Sequence, residues 1–142
     1  MVFFLSVMCA MNTCKYRNNP FNIRYNSANN WKGQTEPKNG FCQFSDMKYG
    51  VRAAFLLVYN YRNLHDAKTP RDIIRYWAPR EDGNDTEAYI SFVGQLLNED
   101  EDINTTLEYV VLLYSMWQVE QGWTPSIWEF ARLLNVSLQE DL

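Results

Sequence analysis

Apolar side chains recur at helical spacing along most of the chain after residue 45. Val51 and Val58 lie two turns apart within such a pattern, which predicts a helix over residues 46–63. Four later helix starts are marked by capping residues or an early proline before an apolar repeat, at Thr69-Pro70, Asp85-Thr86, Thr105-Thr106 and Thr124-Pro125. The third of these five predicted helices should continue through Leu97, and the fifth should bury Trp128.

The chain before residue 46 has a different pattern, in which asparagine, glycine and proline interrupt short apolar pieces. Lys38-Asn39-Gly40-Phe41 contains the Asn-Gly pair typical of a two-residue turn, so we expect a small antiparallel hairpin within residues 22–46. The opening residues 1–10 are apolar like a signal-peptide core but lack a positive charge before it, and we expect a buried N-terminal element. The pattern predicts an α+β fold, mostly helical, with a single domain over residues 1–142.

The charge is unevenly distributed, although the net charge is only −4. Residues 1–80 contain 12 of the 13 Lys and Arg residues, whereas residues 81–142 contain 13 of the 17 Asp and Glu residues. We expect the two halves to attract each other. No cationic cluster of nucleic-acid-binding type is present, and no run approaches the roughly 20 apolar residues that span a bilayer. We therefore expect no nucleic-acid partner and no stable membrane insertion, with nucleic-acid binding by the basic half kept as an alternative.

The amino-acid composition argues against several reaction types. The chain has one histidine, His65, and three cysteines, Cys9, Cys14 and Cys42, without a Cys-x-x-Cys pair. Any Ser-His or Cys-His mechanism would have to use His65, and no spacing supports a zinc site. Glycine-rich phosphate loops are also absent from the sequence. We expect neither a metal nor a cofactor.

Glu120 is the strongest catalytic candidate by its local sequence. It ends the predicted fourth helix, before Gly122, and Trp117 and Trp123 flank it. The negative end of the helix dipole disfavours a second negative charge there, and indole surface would strip water from the carboxylate. Both effects favour a protonated carboxyl group that can donate to a leaving-group oxygen. The alternative is an exposed residue at a helix end with no catalytic role.

Several motifs resemble a family of phage and prophage proteins. The matching segments are Asn18-Asn19-Pro20-Phe21-Asn22-Ile23-Arg24, Trp31-Lys32-Gly33-Gln34, Gly40-Phe41-Cys42-Gln43-Phe44, Tyr49-Gly50-Val51-Arg52-Ala53, Trp77-Ala78-Pro79 and Asn84-Asp85-Thr86-Glu87-Ala88-Tyr89-Ile90. Members of this family are usually described as virion structural proteins or lysozyme-like peptidoglycan hydrolases. The resemblance covers residues 17–123, with Phe21 where the family typically has glycine.

A second resemblance, to flagellar-type and autolysin glucosaminidases, comes in two pieces. Glu120-Gln121-Gly122-Trp123 is similar to their Glu-Ser-Gly-Trp helix end. Asn19-Pro20-Phe21-Asn22-Ile23-Arg24 with Trp31-Lys32-Gly33 is similar to a segment that follows this helix in those enzymes but precedes it here. A circular permutation of a lysozyme-like core would explain the reversed order, because domain termini often lie close together. This resemblance implies a lysozyme-like domain in which the Asn-rich segment lies over the end of the fourth helix.

Both resemblances imply a peptidoglycan glycan-strand hydrolase, either a muramidase, a glucosaminidase or a lytic transglycosylase, with Glu120 as general acid. Glycoside hydrolysis usually needs a second carboxylate, and Glu36 in the predicted hairpin is the main candidate, beside Asp46 and Glu87. A lytic transglycosylase, or chemistry assisted by the substrate's N-acetyl group, needs only one protein carboxylate. The alternative is a virion structural or adaptor protein without hydrolase activity, with other virion proteins as partners.

Side chains of aromatic, amide and cationic type would bind the glycan. The predicted substrate-binding residues are Asn22, Arg24, Tyr25, Trp31, Gln34, Gln43, Phe44 and Trp123. Such a protein is expected in the virion or in the host cell envelope, where the peptidoglycan lies.

Overall fold

The computed structural model describes residues 13–141 and is mostly helical over that range. We label its α-helices in chain order: α1 Met47–His65, α2 Pro70–Trp77, α3 Thr86–Val93, α4 Thr106–Gln121 and α5 Ile127–Gln139. A short 3-10 helix, Arg80–Asp82, connects α2 to α3. The expectation of a mostly helical protein with five helices is confirmed. None of the described helices is both long enough and apolar enough to cross a membrane. The predicted N-terminal element over residues 1–10 lies outside the described residues.

Four of the five helices begin where capping residues predicted them. The side chains of Asp46, Thr69 and Asp85 each accept a hydrogen bond from a backbone N–H in the first turn of the helix that follows. Thr105 and Glu108 form a reciprocal capping box at the start of α4. Each cap satisfies an amide group that a helix start leaves without a partner, which explains why these starts follow from local sequence.

Two helix boundaries differ from the prediction. α3 ends at Val93 because Gly94 closes the helix, and Leu96 beyond it is 68% exposed. α5 begins at Ile127 because the Ser126 hydroxyl caps it, and Trp128 is 83% exposed rather than buried. Ser126 and the glutamate three residues later have the spacing of a capping box, so the correct start was visible in the sequence.

α4 forms the centre of the helical core. Its side chains are buried on most sides of the helix, and Leu112, Leu113, Met116 and Trp117 are at most 1% exposed. α1, α3 and α5 all pack against this helix. An α-helix that is apolar on nearly all faces is stable only when neighbouring elements cover it, which places the last turn of α4 at a junction of several elements.

The segment before α1 is irregular and is organised by one buried amide. The Asn19 side chain is fully buried, donates hydrogen bonds to the carbonyl oxygens of Ile23 and Cys42 at 3.0 and 2.8 Å, and accepts one from the Ile23 N–H at 2.9 Å. The Phe21 ring enclosed by this turn is 1% exposed and belongs to the core. Asn19 thus fixes the turn that carries residues 20–23 over the end of α4.

The predicted β-hairpin is reduced to isolated bridges within residues 13–141. Asn39 and Gly40 both have positive φ, 54° and 81°, and Lys38 and Phe41 exchange two backbone hydrogen bonds of 2.9 Å, as a two-residue turn requires. The residues after this turn bond to several different segments, for example Cys42 to Ile23 at 2.9 Å, so no ladder of paired strands grows. The β component of the predicted α+β fold is therefore limited to these bridges.

The C-terminal end of α5 is tied to the first half of the chain by ion pairs. Asp141 accepts hydrogen bonds from Arg52 at 2.9 Å and from Lys32 at 3.2 Å, and Glu140 pairs with Lys48. These contacts close the helix pair α1 and α5, which pack side by side. The expected attraction between the basic and acidic halves is confirmed here.

Candidate active site

The Glu120 carboxylate lies in the last turn of α4 and accepts hydrogen bonds from three different elements. The Asn22 amide donates to Oε1 at 3.2 Å, the Tyr89 hydroxyl to Oε2 at 3.1 Å, and the Trp77 indole N–H to Oε2 at 3.4 Å. Asn22 belongs to the irregular segment, Trp77 ends α2, and Tyr89 lies in α3. All three donors are uncharged, so they position the carboxylate without pairing it with a cation.

Asn22 reaches Glu120 because the backbone around it takes an unusual conformation. Its φ of 52° lies in the left-handed region, which asparagine tolerates better than most residues. The neighbouring Gln121 amide donates to the Asn22 side-chain oxygen at 3.2 Å and to the Pro20 carbonyl at 3.0 Å. The same Asn22 amide also donates to the Glu120 backbone carbonyl at 3.2 Å. The prediction that the Asn-rich segment meets the end of α4 is confirmed for residues 98 positions apart.

Tyr89 approaches Glu120 from the protein interior. The side chain is 7% exposed, and burial together with the nearby Glu120 carboxylate raises the pKa of Tyr89 well above its usual value. The phenol therefore remains a hydrogen-bond donor at neutral pH. Its oxygen also lies 3.5 Å from the backbone carbonyl of Met116, a second acceptor toward which the hydroxyl can turn.

Glu120 opens into a cleft of about 770 Å³. Aromatic rings, amides and two carboxylates line it. The lining residues are Lys15, Tyr16, Phe21, Asn22, Ile23, Arg24, Tyr25, Asn26, Ser27, Asn29, Phe41, Leu57, Tyr61, Tyr76, Trp77, Pro79, Asp82, Asn84 and Glu120. Tyr25 and Tyr76 are 43% and 47% exposed, so both rings are accessible to a ligand. A concave surface of aromatic faces and amide groups suits a polar, ring-shaped ligand such as a sugar.

Glu120 also lines a second depression, of about 530 Å³. Its apolar part is made by Ala88, Phe92 and Val119, while Asn84 and Glu120 line both hollows. Glu120 therefore borders two concave surfaces rather than one.

The cleft brings together Glu120 and three of the predicted substrate-binding residues, Asn22, Arg24 and Tyr25. Glu36 is not among its lining residues. The predicted binding residues that are also absent from the lining are Trp31, Gln34, Gln43, Phe44 and Trp123.

Their contacts show what some of these outlying residues do instead. Phe44 is fully buried in the core, and the Trp123 ring packs edge-on against Trp117 at 5.4 Å between centroids. The Gln43 side chain donates to the backbone carbonyl of Glu36 at 3.0 Å and thereby links two loop segments. The Gln34 side chain accepts from the Trp31 N–H at 3.2 Å.

The indole that donates a hydrogen bond to Glu120 belongs to Trp77. Trp117 is 1% exposed and its ring packs against Phe21, Trp123 and Phe130 in the core. An indole 43 positions away in the sequence, which was not among the predicted neighbours, thus contacts the carboxylate.

Asp82 is the second carboxylate of the cleft and was not predicted. It lies in the 3-10 helix after Pro79 and is exposed at the cleft wall. Glu36 is exposed outside the cleft, Asp46 caps α1, and Glu87 pairs with Arg71 at 3.5 Å. Asp82 stands in a run of charged residues typical of any surface turn, so no local signal distinguishes it.

Histidine and cysteine are the other residue types in this chain that could act as nucleophiles or metal ligands. His65 is exposed at the end of α1 and stacks on Tyr76 at 4.7 Å. Burial raises the pKa of the Cys14 thiol to about 11 and also raises the pKa of Cys42, so both thiols stay protonated at neutral pH. Over residues 13–141, no group of His, Cys, Asp and Glu side chains is arranged to hold a metal ion.

No protein-family model and no curated protein matches this chain.

Proposed function

We propose that this protein cleaves the glycan strands of peptidoglycan, with Glu120 as the general acid. The observation that carries the proposal is a single carboxylate held by uncharged donors at the junction of an aromatic, amide-lined cleft and a second depression. The motifs shared with phage lysozyme-like proteins and glucosaminidases supply the substrate class. The proposed place of action is the virion or the host cell envelope.

The three donors suit a group that must lose a proton during the reaction. When Glu120 gives its proton to the glycosidic oxygen, negative charge develops on its carboxylate, and the fixed donors Asn22, Trp77 and Tyr89 stabilise that charge. Before transfer, a proton on Oε2 can be donated to the Tyr89 oxygen while the Tyr89 hydroxyl turns to the Met116 carbonyl. The site thus accommodates both protonation states of the acid.

The cleft offers Asp82 as the partner carboxylate. If Asp82 acts as a nucleophile or base, the reaction is a hydrolysis, and the separation of the Asp82 and Glu120 carboxyl groups decides its stereochemistry. Lytic transglycosylation or assistance by the substrate's N-acetyl group would need Glu120 alone. Asp82→Asn separates these cases: lost cleavage assigns Asp82 the second role, and retained cleavage assigns one-carboxylate chemistry.

We further propose that the helical scaffold is a circularly permuted lysozyme-like core. The support is spatial: the two motifs shared with glucosaminidases occur in reversed order along the chain, yet the Asn22 and Glu120 side chains lie 3.2 Å apart. A permutation moves the chain ends and keeps the packing of the elements, so it preserves such a contact.

Glu120→Gln tests the function. Gln keeps the shape of the side chain but cannot donate a catalytic proton, and loss of general acid catalysis typically lowers the rate about 10²–10⁴-fold. The measurement is the rate of strand cleavage on purified cell walls, with thermal unfolding to verify the fold. Glu129→Gln is the matched control, because Glu129 is exposed on α5 and lies outside the cleft.

Equal cleavage by wild type and Glu120→Gln would assign the acid to another residue. Absence of cleavage by the wild type on every wall type would favour the alternative, a virion structural protein.

A further inference from the structure

Two cations that line the cleft lie over a pair of stacked aromatic rings. The rings of Tyr16 and Phe41 lie 4.3 Å apart and 11° from parallel. The Lys15 ammonium lies 5.6 Å from the centroid of Tyr16, and the Arg24 guanidinium lies 5.3 Å from the centroid of Phe41. All four side chains line the cleft into which Glu120 opens. The order Lys15, Tyr16, Phe41, Arg24 therefore forms a stack with a positive charge at each end.

Neither cation is neutralised by a carboxylate among residues 13–141, where the ion pairs involve Lys32, Lys48, Arg52, Lys68 and Arg71. Residues 1–12 contain no Asp or Glu that would supply one. Lys15 and Arg24 thus differ from the cations that tie the halves of the chain together. Their charge is directed to the cleft, in a protein whose net charge is −4.

We propose that Lys15 and Arg24, at opposite ends of this stack, each bind a carboxylate carried by a side substituent of the glycan strand. This inference rests on the proposed function and names the part of the substrate that the cleft recognises besides its sugars. A guanidinium presents paired donors that match a carboxylate, and a lysine ammonium attracts a carboxylate as a point charge. Each charged group lies over one ring of the pair, and this cation–π contact reduces the side-chain freedom that binding would otherwise remove.

Peptidoglycan offers this carboxylate from two sources: the stem peptide and, where the peptide has been removed, the lactyl group on the sugar. Three soluble substrates distinguish them. The first is intact peptide-bearing strands, the second is strands stripped of peptide by an amidase, and the third is intact strands whose carboxylates have been converted to methylamides. The third substrate keeps the glycan and peptide but removes their negative charge.

The test measures binding and cleavage separately for Lys15→Gln/Arg24→Gln. Binding is measured by calorimetry in a Glu120→Gln background, so that strands stay intact, and cleavage is measured with Glu120 present. We expect the double variant to bind intact strands about tenfold more weakly, since exposed ion pairs each contribute modestly. KM for intact strands should rise by a similar factor while kcat changes little. The control Lys38→Gln/Arg132→Gln removes the same charge outside the cleft and should change neither.

The methylamide strands decide the outcome. If the double variant and its parent bind the methylamide strands equally, the inference is supported. The stripped strands then assign the source of the carboxylate. A difference in affinity that remains on stripped strands indicates the lactyl group, and a difference that disappears indicates the stem peptide. A loss of binding that is equal on charged and uncharged strands, or no loss on intact strands, overturns the inference. Cleavage without any such difference leaves the proposed function intact, whereas charge-dependent binding without cleavage contradicts the proposed function alone.

Discussion

Carboxylates occupy two opposite kinds of surroundings in this molecule. At the end of α4, Glu120 accepts hydrogen bonds from an amide, an indole and a phenol. At the end of α5, Glu140 and Asp141 are surrounded by Lys32, Lys48 and Arg52. The first group lies at the wall of a cleft, whereas the second joins two helices that lie side by side.

The two surroundings differ in the charge of the partners that each carboxylate contacts. The hydrogen bond from Lys48 lowers the pKa of Glu140, and the hydrogen bonds from Arg52 and Lys32 lower the pKa of Asp141. Carboxylates held in this way stay charged and cannot donate a proton near neutral pH. Uncharged donors fix the position of a carboxylate without adding a cation beside it. Cationic partners thus hold Glu140 and Asp141 in a structural contact, whereas Glu120 has no cation among its hydrogen-bond partners.

Asn22→Asp should have the largest effect of the changes that test this comparison. The substitution keeps the size of the side chain and tolerates the φ of 52°, but it replaces the donor to Glu120 with a negative charge. We expect cleavage to fall at least about 100-fold and the free energy of unfolding to fall by about 1–3 kcal/mol. Cleavage rate and denaturant unfolding measure the two effects. Asn26→Asp, on the same cleft, serves as control, and equal rates for Asn22→Asp and wild type would show that a neutral donor is not required.

Tyr89→Phe should have a smaller effect on the same carboxylate. It removes the 3.1 Å hydrogen bond to Glu120 but keeps the buried ring. Because Tyr89 approaches Glu120 from the interior, we expect kcat to fall about tenfold with KM unchanged. Steady-state kinetics on soluble strands measure both constants. A rise in KM with kcat intact would mean that Tyr89 affects binding of the strand instead.

Local sequence predicted the helix starts because capping depends on residues three or four positions apart, as at Thr105 and Glu108. It also predicted that Glu120 lies in the last turn of α4, because Gly122 ends that helix. The donors Trp77 and Tyr89 could not be predicted, because they reach Glu120 only through tertiary packing, in which α2 packs on α1 and α3 and α3 packs on α4.

The predicted binding residues that lie outside the cleft have a similar explanation. Phe44 and Trp123 are aromatic residues close to matching motifs, yet one is fully buried and the other packs on Trp117. An aromatic side chain has the same identity in a core and in a cleft, so burial decides its role. A longer hairpin does not form, because the Asn-Gly turn determines only the two backbone hydrogen bonds between Lys38 and Phe41. The residues after the turn form hydrogen bonds with other segments of the chain.

Glu140→Gln/Asp141→Asn should change the pH dependence of stability rather than activity. Both pKa values lie below their usual values of 4.5 and 3.8, so these carboxylates stabilise the fold above about pH 5 and lose that contribution as the pH falls through the lowered values. We expect the double variant to be less stable than wild type at pH 7 and the difference to shrink toward pH 3. Denaturant unfolding at a series of pH values measures this, and a difference independent of pH would contradict it.

Glu36→Gln should have the smallest effect. Glu36 is exposed outside the cleft, and the Gln43 amide contacts its backbone carbonyl rather than its carboxylate. We expect the cleavage rate to remain within about twofold of wild type and stability to change by less than about 0.5 kcal/mol. A large loss of cleavage would make Glu36 the second carboxylate despite its distance from the cleft lining.

The most direct test measures cleavage rate and unfolding stability together for Glu120→Gln and for Glu140→Gln/Asp141→Asn. If neutral and cationic surroundings separate the two roles, Glu120→Gln loses cleavage by about 10²–10⁴-fold and keeps most of its stability, while the C-terminal double variant keeps cleavage and loses stability at pH 7. Cleavage retained by Glu120→Gln, or lost by the C-terminal variant while it remains folded, would contradict the account.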